Sequence, residues 1–275
     1  MNKTPDREAA PAPRAPPFGL EPFGVADVPA EEKAGRVRAL FARVAPAYDL
    51  MNDLMSLGVH RLWKAALISE IHPRPGETLL DVAGGTGDVA LAFLEAASGR
   101  PNQGRPPASA ILCDASPAML RVGRDRALDR GIVQGLGVQG LDYVAGDAEL
   151  LPIAAASIDV YTIAFGLRNV TRIDAALAEA RRVLKPGGRF YCLEFSRVVV
   201  PLLDRLYDAY SFNVLPGLGQ IVTGDRAAYQ YLVDSIRRFP PQDELAGRIA
   251  ASGLGRVRVQ NLSGGIAAIH AAWRL

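Results

Sequence analysis

The chain has 275 residues, 49% of them hydrophobic and 22% charged, with a formal net charge of +2 at pH 7. This composition excludes a disordered or fibrous chain, and the length allows a sizeable core, with one large domain as the simpler expectation. So small a net charge, with no Lys/Arg-dense run and no zinc-type Cys/His spacing, makes neither nucleic acid nor a metal an expected partner.

Residues 1 to 30 carry seven prolines (Pro5, Pro11, Pro13, Pro16, Pro17, Pro22, Pro29) among Ala, Gly and charges, which predicts a disordered, extended tail. No apolar run there has the form of an export signal, and none elsewhere is long enough for a bilayer. A cytoplasmic protein is expected. From Glu31 the chain favours helix, with Val37, Leu40, Phe41 and Val44 at helical spacing up to Pro46. Leu50, Leu54, Leu57 and Trp63 form a second apolar face, so residues 31–70 read as helices ahead of the main sheet.

From Glu77 apolar strands alternate with helical stretches: ETLLDVA, then 88–97; SAILCDA, then 117–129; LDYVAGDA; IDVYTIAF, then 174–185; and RFYCLEF. Alternation of this kind predicts an α/β fold with a mostly parallel sheet and helices on both faces. Lys185-Pro186-Gly187-Gly188 is a place for a helix to stop and reverse. RVRVQNL and AIHAAWRL, on either side of Ser263-Gly264-Gly265, read as an antiparallel pair closing the sheet. Two inserts interrupt the scheme: a Pro/Gly/Arg-rich loop from Ser98 to Ser109, and the aromatic-rich stretch 198–241. Cys113 and Cys192 lie inside apolar strands and read as small buried side chains rather than a disulfide.

The chemistry gathers at strand ends. Asp81-Val82-Ala83-Gly84-Gly85-Thr86-Gly87-Asp88 is a glycine-rich turn from strand into helix, where backbone can approach a nucleoside closely. Any doubly wound protein can have a tight turn there. A dinucleotide turn has the spacing G-x-G-x-x-G, whereas here the glycines follow an acid at 84, 85 and 87, which suits a cationic ligand better than a diphosphate. Asp114, 27 residues after Gly87, can hold both hydroxyls of a ribose. Asp147 and Ala148 can read an adenine amine and ring nitrogen through a side-chain acceptor and a backbone N–H. Any one of these acids could be a helix cap, but three at successive strand ends point to the ligand crevice of an open α/β sheet.

The stretches VAPAYDLMNDLMSLGVHRLWK (44–64), LLDVAGGTGD (79–88), FGLRNV (165–170), RVLKPGGRFYCLEFS (182–196), YDAYSFNVLP (207–216) and NLSGGIAAIH (261–270) resemble the ubiquinone/menaquinone-biosynthesis C-methyltransferase family, the UbiE type. The resemblance runs from about Arg36 to the C-terminus. It implies a class I, Rossmann-like fold with a seven-stranded sheet, in one methyltransferase domain over 31–275. It also implies methylation, from S-adenosylmethionine, of a ring carbon on a polyprenylated benzoquinol or naphthoquinol. By motif position, Asp81, Gly85, Thr86, Asp114, Asp147 and Ala148 would contact the S-adenosyl ligand. Departures are Ala164, where relatives often have Ser, Asn213, and the 98–109 insert.

A ring carbon becomes nucleophilic when the adjacent phenol loses its proton, so the site needs a base or a group that stabilises the phenolate. Arg168 and Asn169, just beyond the fourth strand, are the expected catalytic residues. Arg168 would stabilise the phenolate or assist proton removal through water, since it is too basic to accept a proton itself, and Asn169 would orient the ring. Without the resemblance they read as a surface Arg and a turn Asn. His60 and His270 lie on apolar faces and rank second; Tyr48 and Asp49 stand where an N-terminal helix can close over the donor. Leu202, Leu203, Leu206, Tyr207, Tyr210 and Phe212 are either core stripes or the lining of a polyprenyl tunnel. Peripheral membrane contact, and a homodimer or a quinone-biosynthesis complex, are further expectations. Two other classes compete: an NAD-dependent oxidoreductase, which needs the longer glycine spacing, and a non-catalytic scaffold of a quinone-synthesis complex that keeps the fold and the ligand.

Overall fold

A computed structural model gives the placement of residues 20–23, 26–29, 32, 35–37, 39, 56, 58–132, 140–196, 231 and 234–275. Of the positions singled out above, Leu40, Phe41, Val44, Tyr48, Asp49, Leu50, Leu54 and Leu57 lie outside the described residues. So do Leu202, Leu203, Leu206, Tyr207, Tyr210, Phe212 and Asn213.

Within the stretch read as a disordered tail, residues 20–23 and 26–29 form strands, and residues 1–19 lie outside the described residues. Strands β1 (Leu20–Phe23) and β2 (Ala26–Pro29) pair antiparallel, Leu20 opposite Pro29 and Pro22 opposite Asp27. In a two-stranded ribbon each strand has one open side, so a proline that lacks an N–H can sit there without breaking the ladder.

Seven strands form the main sheet: β3 (Thr78–Val82), β4 (Ser109–Asp114), β5 (Leu141–Ala145), β6 (Ile158–Ala164), β7 (Leu184–Phe195), β8 (Gly255–Leu262) and β9 (Ala267–Trp273). Their order is β5-β4-β3-β6-β7-β9-β8, and only the pairs made by β9 are antiparallel. Helices that pack on the sheet include α1 (His60–Ile71), α2 (Asp88–Ser98), α3 (Pro117–Asp129), α4 (Ile173–Val183) and α5 (Gln242–Ala251).

Because side chains alternate across a strand, each central strand feeds two cores. Leu79, Leu112, Val160 and Leu193 pack on one face with Trp63 and Leu67 of α1, Leu91 and Leu94 of α2 and Ala127 of α3. Leu80, Val82, Tyr161, Ile163 and Phe190 pack on the other with Leu177 and Val183 of α4 and Leu245 and Ile249 of α5. This two-sided burial explains why the strands are almost continuously apolar. Cys113 and Cys192 are buried and free, as read.

One boundary differs from the sequence reading. Helix α4 stops at Val183, and Leu184 is already extended beside Ile158. The C-terminal segment draws the turn into the sheet: Gly187 N–H donates to Arg274 O at 2.7 Å, and Arg274 N–H donates to Gly188 O at 3.0 Å. Gly187 takes φ +79° to reach this geometry, a region that favours glycine. Of the 98–109 stretch read as a loop, residues 99–107 form the exposed connection between α2 and β4, Ser98 ends α2, Ala108 is buried and Ser109 opens β4.

Candidate active site

Strand β3 lies between β4 and β6, so the chain leaves the sheet in opposite directions from the carboxyl ends of β3 and β6. A parallel sheet opens a crevice at such a point. Here it is a cleft of about 820 Å³, counting the part open to solvent, with walls from the ends of four strands. Ala83 and Gly85 come from β3, Asp114 and Ser116 from β4, Asp147 and Ala148 from β5, Phe165 and Asn169 from β6, and Val37 from the N-terminal helical segment.

The glycine turn is shaped by contact rather than by propensity alone. A Cβ on Gly84 would stand 2.4 Å from Leu112 and 2.7 Å from the Asp81 carboxylate, so only glycine fits. Ala83 and Phe165, across the cleft floor from each other, hold φ of +49° and +56°. Left-handed backbone at non-glycine residues costs on the order of 1–3 kcal/mol each and gathers at functional sites. Gly166 completes the fit, because a Cβ there would meet the Ala83 Cβ at 2.5 Å.

Asp114 is fixed from two sides. Gly85 N–H donates to Oδ2 at 2.9 Å and Ser116 N–H donates to Oδ1 at 2.8 Å. Burial raises its pKa above the usual carboxylate value, and those two donors partly offset the rise. A carboxylate offers about four lone-pair directions, so roughly two remain for a ligand diol. Asp147 Oδ1 accepts Glu149 N–H at 2.9 Å. Glu149 accepts Thr171 N–H at 2.9 Å, Arg172 N–H at 2.8 Å and Arg172 Nε at 2.7 Å, so it ties the β5 rim of the cleft to the start of α4.

Five of the eight residues named from sequence therefore line one cleft: Gly85, Asp114, Asp147, Ala148 and Asn169. Asp81, Thr86 and Arg168 do not. Asp81 lies beneath the turn, fully buried, where its Oδ1 accepts Thr162 Oγ1–H at 2.7 Å and Oδ2 has no hydrogen-bond partner. Burial pushes its pKa up to about 7. Asp81 and Thr86 share a smaller hollow with Lys64 and Asp88, adjoining the cleft at Ala83 and Phe165. There Arg126 donates to Thr86 Oγ1 at 2.9 Å and Lys64 to Asp88 at 2.7 Å.

Arg168 was expected to face the phenolate. Instead its side chain is 1% exposed and lies in an ion pair with the equally buried Glu194, at 2.8 Å, while also donating to Phe165 O. It stacks over Phe195, 5.4 Å from the ring centroid. Phe165 and Phe195 stand 4.9 Å apart with Trp63 against both, an aromatic layer under the cleft's β6 wall. Asn169 does face the cleft, and its Oδ1 accepts Tyr231 Oη–H at 2.9 Å. His60 (Nδ1 to Ser56 Oγ, 2.9 Å) and His270 (Nε2 to Gln242 O, 3.1 Å) are buried away from the cleft. Sequence reading missed Glu194, Tyr231 and Val37. Glu194 carried a signal, an acid inside the apolar strand RFYCLEF one sheet position from the Arg168 loop.

Among the described residues no group of His, Cys, Asp and Glu is placed to hold a metal, and no helix is long and apolar enough to cross a membrane. The family model for the ubiE/COQ5 methyltransferase family matches residues 29–274. The chain belongs to that family. It is 55% identical to the ubiquinone/menaquinone biosynthesis C-methyltransferase UbiE of Methylobacterium nodulans, over 92% of this chain and 96% of that one. It is 49% identical to the mitochondrial 2-methoxy-6-polyprenyl-1,4-benzoquinol methylase of Danio rerio, over 92% and 84%. Among solved structures, a SAM-dependent methyltransferase from Aquifex aeolicus superposes with TM-score 0.52 at 14% identity, over 77% and 89% of the two chains. The [4+2]-cyclase SpnF superposes with TM-score 0.60 at 18% identity, over 88% and 96%. Both likenesses show the class I fold expected from the sequence, and nothing beyond the fold. The protein is thus a methyltransferase of the ubiE/COQ5 family.

Two expectations follow from the packing around the turn. Gly166→Ala sets two Cβ atoms in conflict and lowers stability by on the order of 1–3 kcal/mol. Ala83→Gly, which removes one of them, restores most of that in the double variant. Urea titration of the four proteins reads this directly, and an undamaged Gly166→Ala would refute the close approach.

Asp81 titrates at about 7 in the folded protein against an ordinary value of 3.8. Between those values the unfolded chain releases the proton that the folded chain keeps, so the stabilising contribution present in acid is lost as pH rises to about 7. Asp81→Asn escapes this loss. It is expected to exceed the wild type in stability at pH 8 by up to about 4 kcal/mol, with the gap closing toward pH 4. Thermal unfolding across that range checks both sign and slope; a gap independent of pH would contradict the shift.

Proposed function

We propose that the protein transfers the methyl group of S-adenosylmethionine to a ring carbon of a polyprenylated benzoquinol, a demethylmenaquinol, or both. One observation carries the reading: a single cleft sets the doubly anchored carboxylate of Asp114 opposite Asn169 of the Gly166–Val170 loop. The relatives named for ubiquinone and menaquinone biosynthesis support the choice of ring.

The residues present fit the donor. Asp114 has lone pairs left for both ribose hydroxyls, Asp147 and the Ala148 N–H can take the adenine edge, and Met119 and Val37 give the base an apolar seat. Gly85 and Gly166 leave backbone within reach of the ligand. When bound, S-adenosylmethionine supplies a methyl on a cationic sulfur, which moves to the ring carbon while the S–CH3 bonding pair stays on sulfur and the carbon later sheds its proton. The protein holds the ring in line and excludes water, and such positioning accounts for much of the rate. Asn169 donates to the phenol oxygen as it gains charge, lowering the cost of proton loss to water. Arg168 acts from beneath: paired with Glu194 and bonded to Phe165 O, it holds the loop that carries Asn169.

Methyl incorporation into demethylmenaquinol and into the corresponding benzoquinol tests the reading. Asp114→Ala is expected to raise KM for the donor at least about tenfold, the loss of one charge-assisted hydrogen bond. Arg168→Ala leaves Glu194 buried and unpaired, so it is expected to abolish activity and cost about 3–5 kcal/mol of stability. Full activity in Arg168→Ala would remove its role, and no turnover of either quinol by the wild type would remove the reading.

The tail of such a substrate lies in a bilayer, so the enzyme works at a membrane face, through residues 31–70 or the 198–241 stretch. Leu62, 69% exposed on α1, fits such a surface. Co-flotation with liposomes carrying the quinol is expected, and protein remaining wholly in the dense fraction would count against it.

A further inference from the structure

Tyr231 lies within the 198–241 stretch assigned to the substrate side, yet its hydroxyl is bonded to the loop that follows β6. It is 5% exposed, and Oη–H donates to Asn169 Oδ1 at 2.9 Å. Asn169 lines the cleft; Tyr231 does not. A carboxamide carries one acceptor and two N–H donors on a group that can turn end for end. Which end meets the substrate decides the chemistry, because an oxygen gaining negative charge is stabilised by a donor and repelled by an acceptor. The partner that occupies Oδ1 therefore selects the useful end.

We propose that Tyr231 is a positioning residue for methyl transfer: it holds the Asn169 carbonyl inward and so presents the Asn169 N–H group to the quinol oxygen. Burial supports this assignment by pushing the Tyr231 hydroxyl up to about 12, which keeps it a protonated donor at working pH. The hydroxyl is thus no base here. The contact also joins the 198–241 stretch to the β6 wall, since residues 62 apart in sequence meet in one hydrogen bond. The inference rests on the quinol reading given above.

Tyr231→Phe keeps the buried ring and removes only the hydroxyl. With the full-length enzyme and both quinols, kcat is expected to fall about tenfold, an effect of the size of one hydrogen bond. KM for S-adenosylmethionine should stay at the wild-type value, because the donor cradle is not altered, and Tm should fall by no more than the few degrees that one hydrogen bond is worth. In an Asn169→Ala background the same change should alter kcat less than about twofold, since the group it orients is gone. An unchanged kcat in Tyr231→Phe overturns the inference, and so does a tenfold loss that persists without Asn169. A fall in Tm and donor affinity in step with kcat would make Tyr231 a structural residue and overturn it as well. A folded, donor-binding wild type that methylates neither quinol defeats the functional reading and this inference together, whereas an active wild type with an indifferent Tyr231→Phe defeats the inference alone.

Discussion

Everything at the site depends on the parting of the chain at β3 and β6. Parallel strands deliver all their carboxyl ends to one edge of the sheet, and the connections that leave them normally cover that edge. Here α2 carries the chain from β3 to one face while α4 carries it from β6 to the other, so neither connection crosses the gap between them. The gap is narrow. It is kept open by left-handed backbone at Ala83 and Phe165 and by the absence of a side chain at Gly166. That strain persists because the strands bearing it are buried on both faces and cannot shift to relieve it.

The sheet was legible in sequence because its signal is local. Apolar runs of strand length alternating with helical periodicity, a glycine turn at 84–87, and acids at Asp114 and Asp147 each need only a short window to be seen. What was not legible depends on contacts between distant segments. Glu194 meets Arg168 26 positions away, and Tyr231 meets Asn169 62 positions away. The β1–β2 ribbon was hidden by proline content, a signal that speaks for the unfolded state and says nothing of pairing at an open edge.

Arg168 and Asn169 show where motif reading stops. The motif places both residues beyond a strand end but not the direction of either side chain. They sit in a single 3-10 turn, Leu167–Asn169. With three residues per turn, neighbours point about 120° apart, so Asn169 can face the cleft only if Arg168 turns beneath it. Once beneath, a guanidinium requires a counter-charge, and Glu194 supplies it while also accepting the Phe195 N–H at 2.9 Å. A buried pair of this kind contributes little net stability, because desolvation offsets the attraction, but it permits one arrangement and penalises others. Here it fixes the side of the turn on which Arg168 lies.

A division of labour follows from the same geometry. The β3, β4 and β5 ends form a cradle from glycines, backbone N–H groups and acids, features that any nucleoside-binding protein of this fold can share. A cyclase superposes on the chain at TM-score 0.60, so the scaffold by itself does not select methyl transfer. The other wall is built from Phe165, Gly166 and Asn169 beyond β6, with the Arg168–Glu194 pair beneath them and Tyr231 behind. On the function proposed above, this is the side that meets the acceptor ring. The contacts that build this side, Arg168 with Glu194 and Tyr231 with Asn169, join segments that no single motif spans, so they come from the structure and not from motif reading.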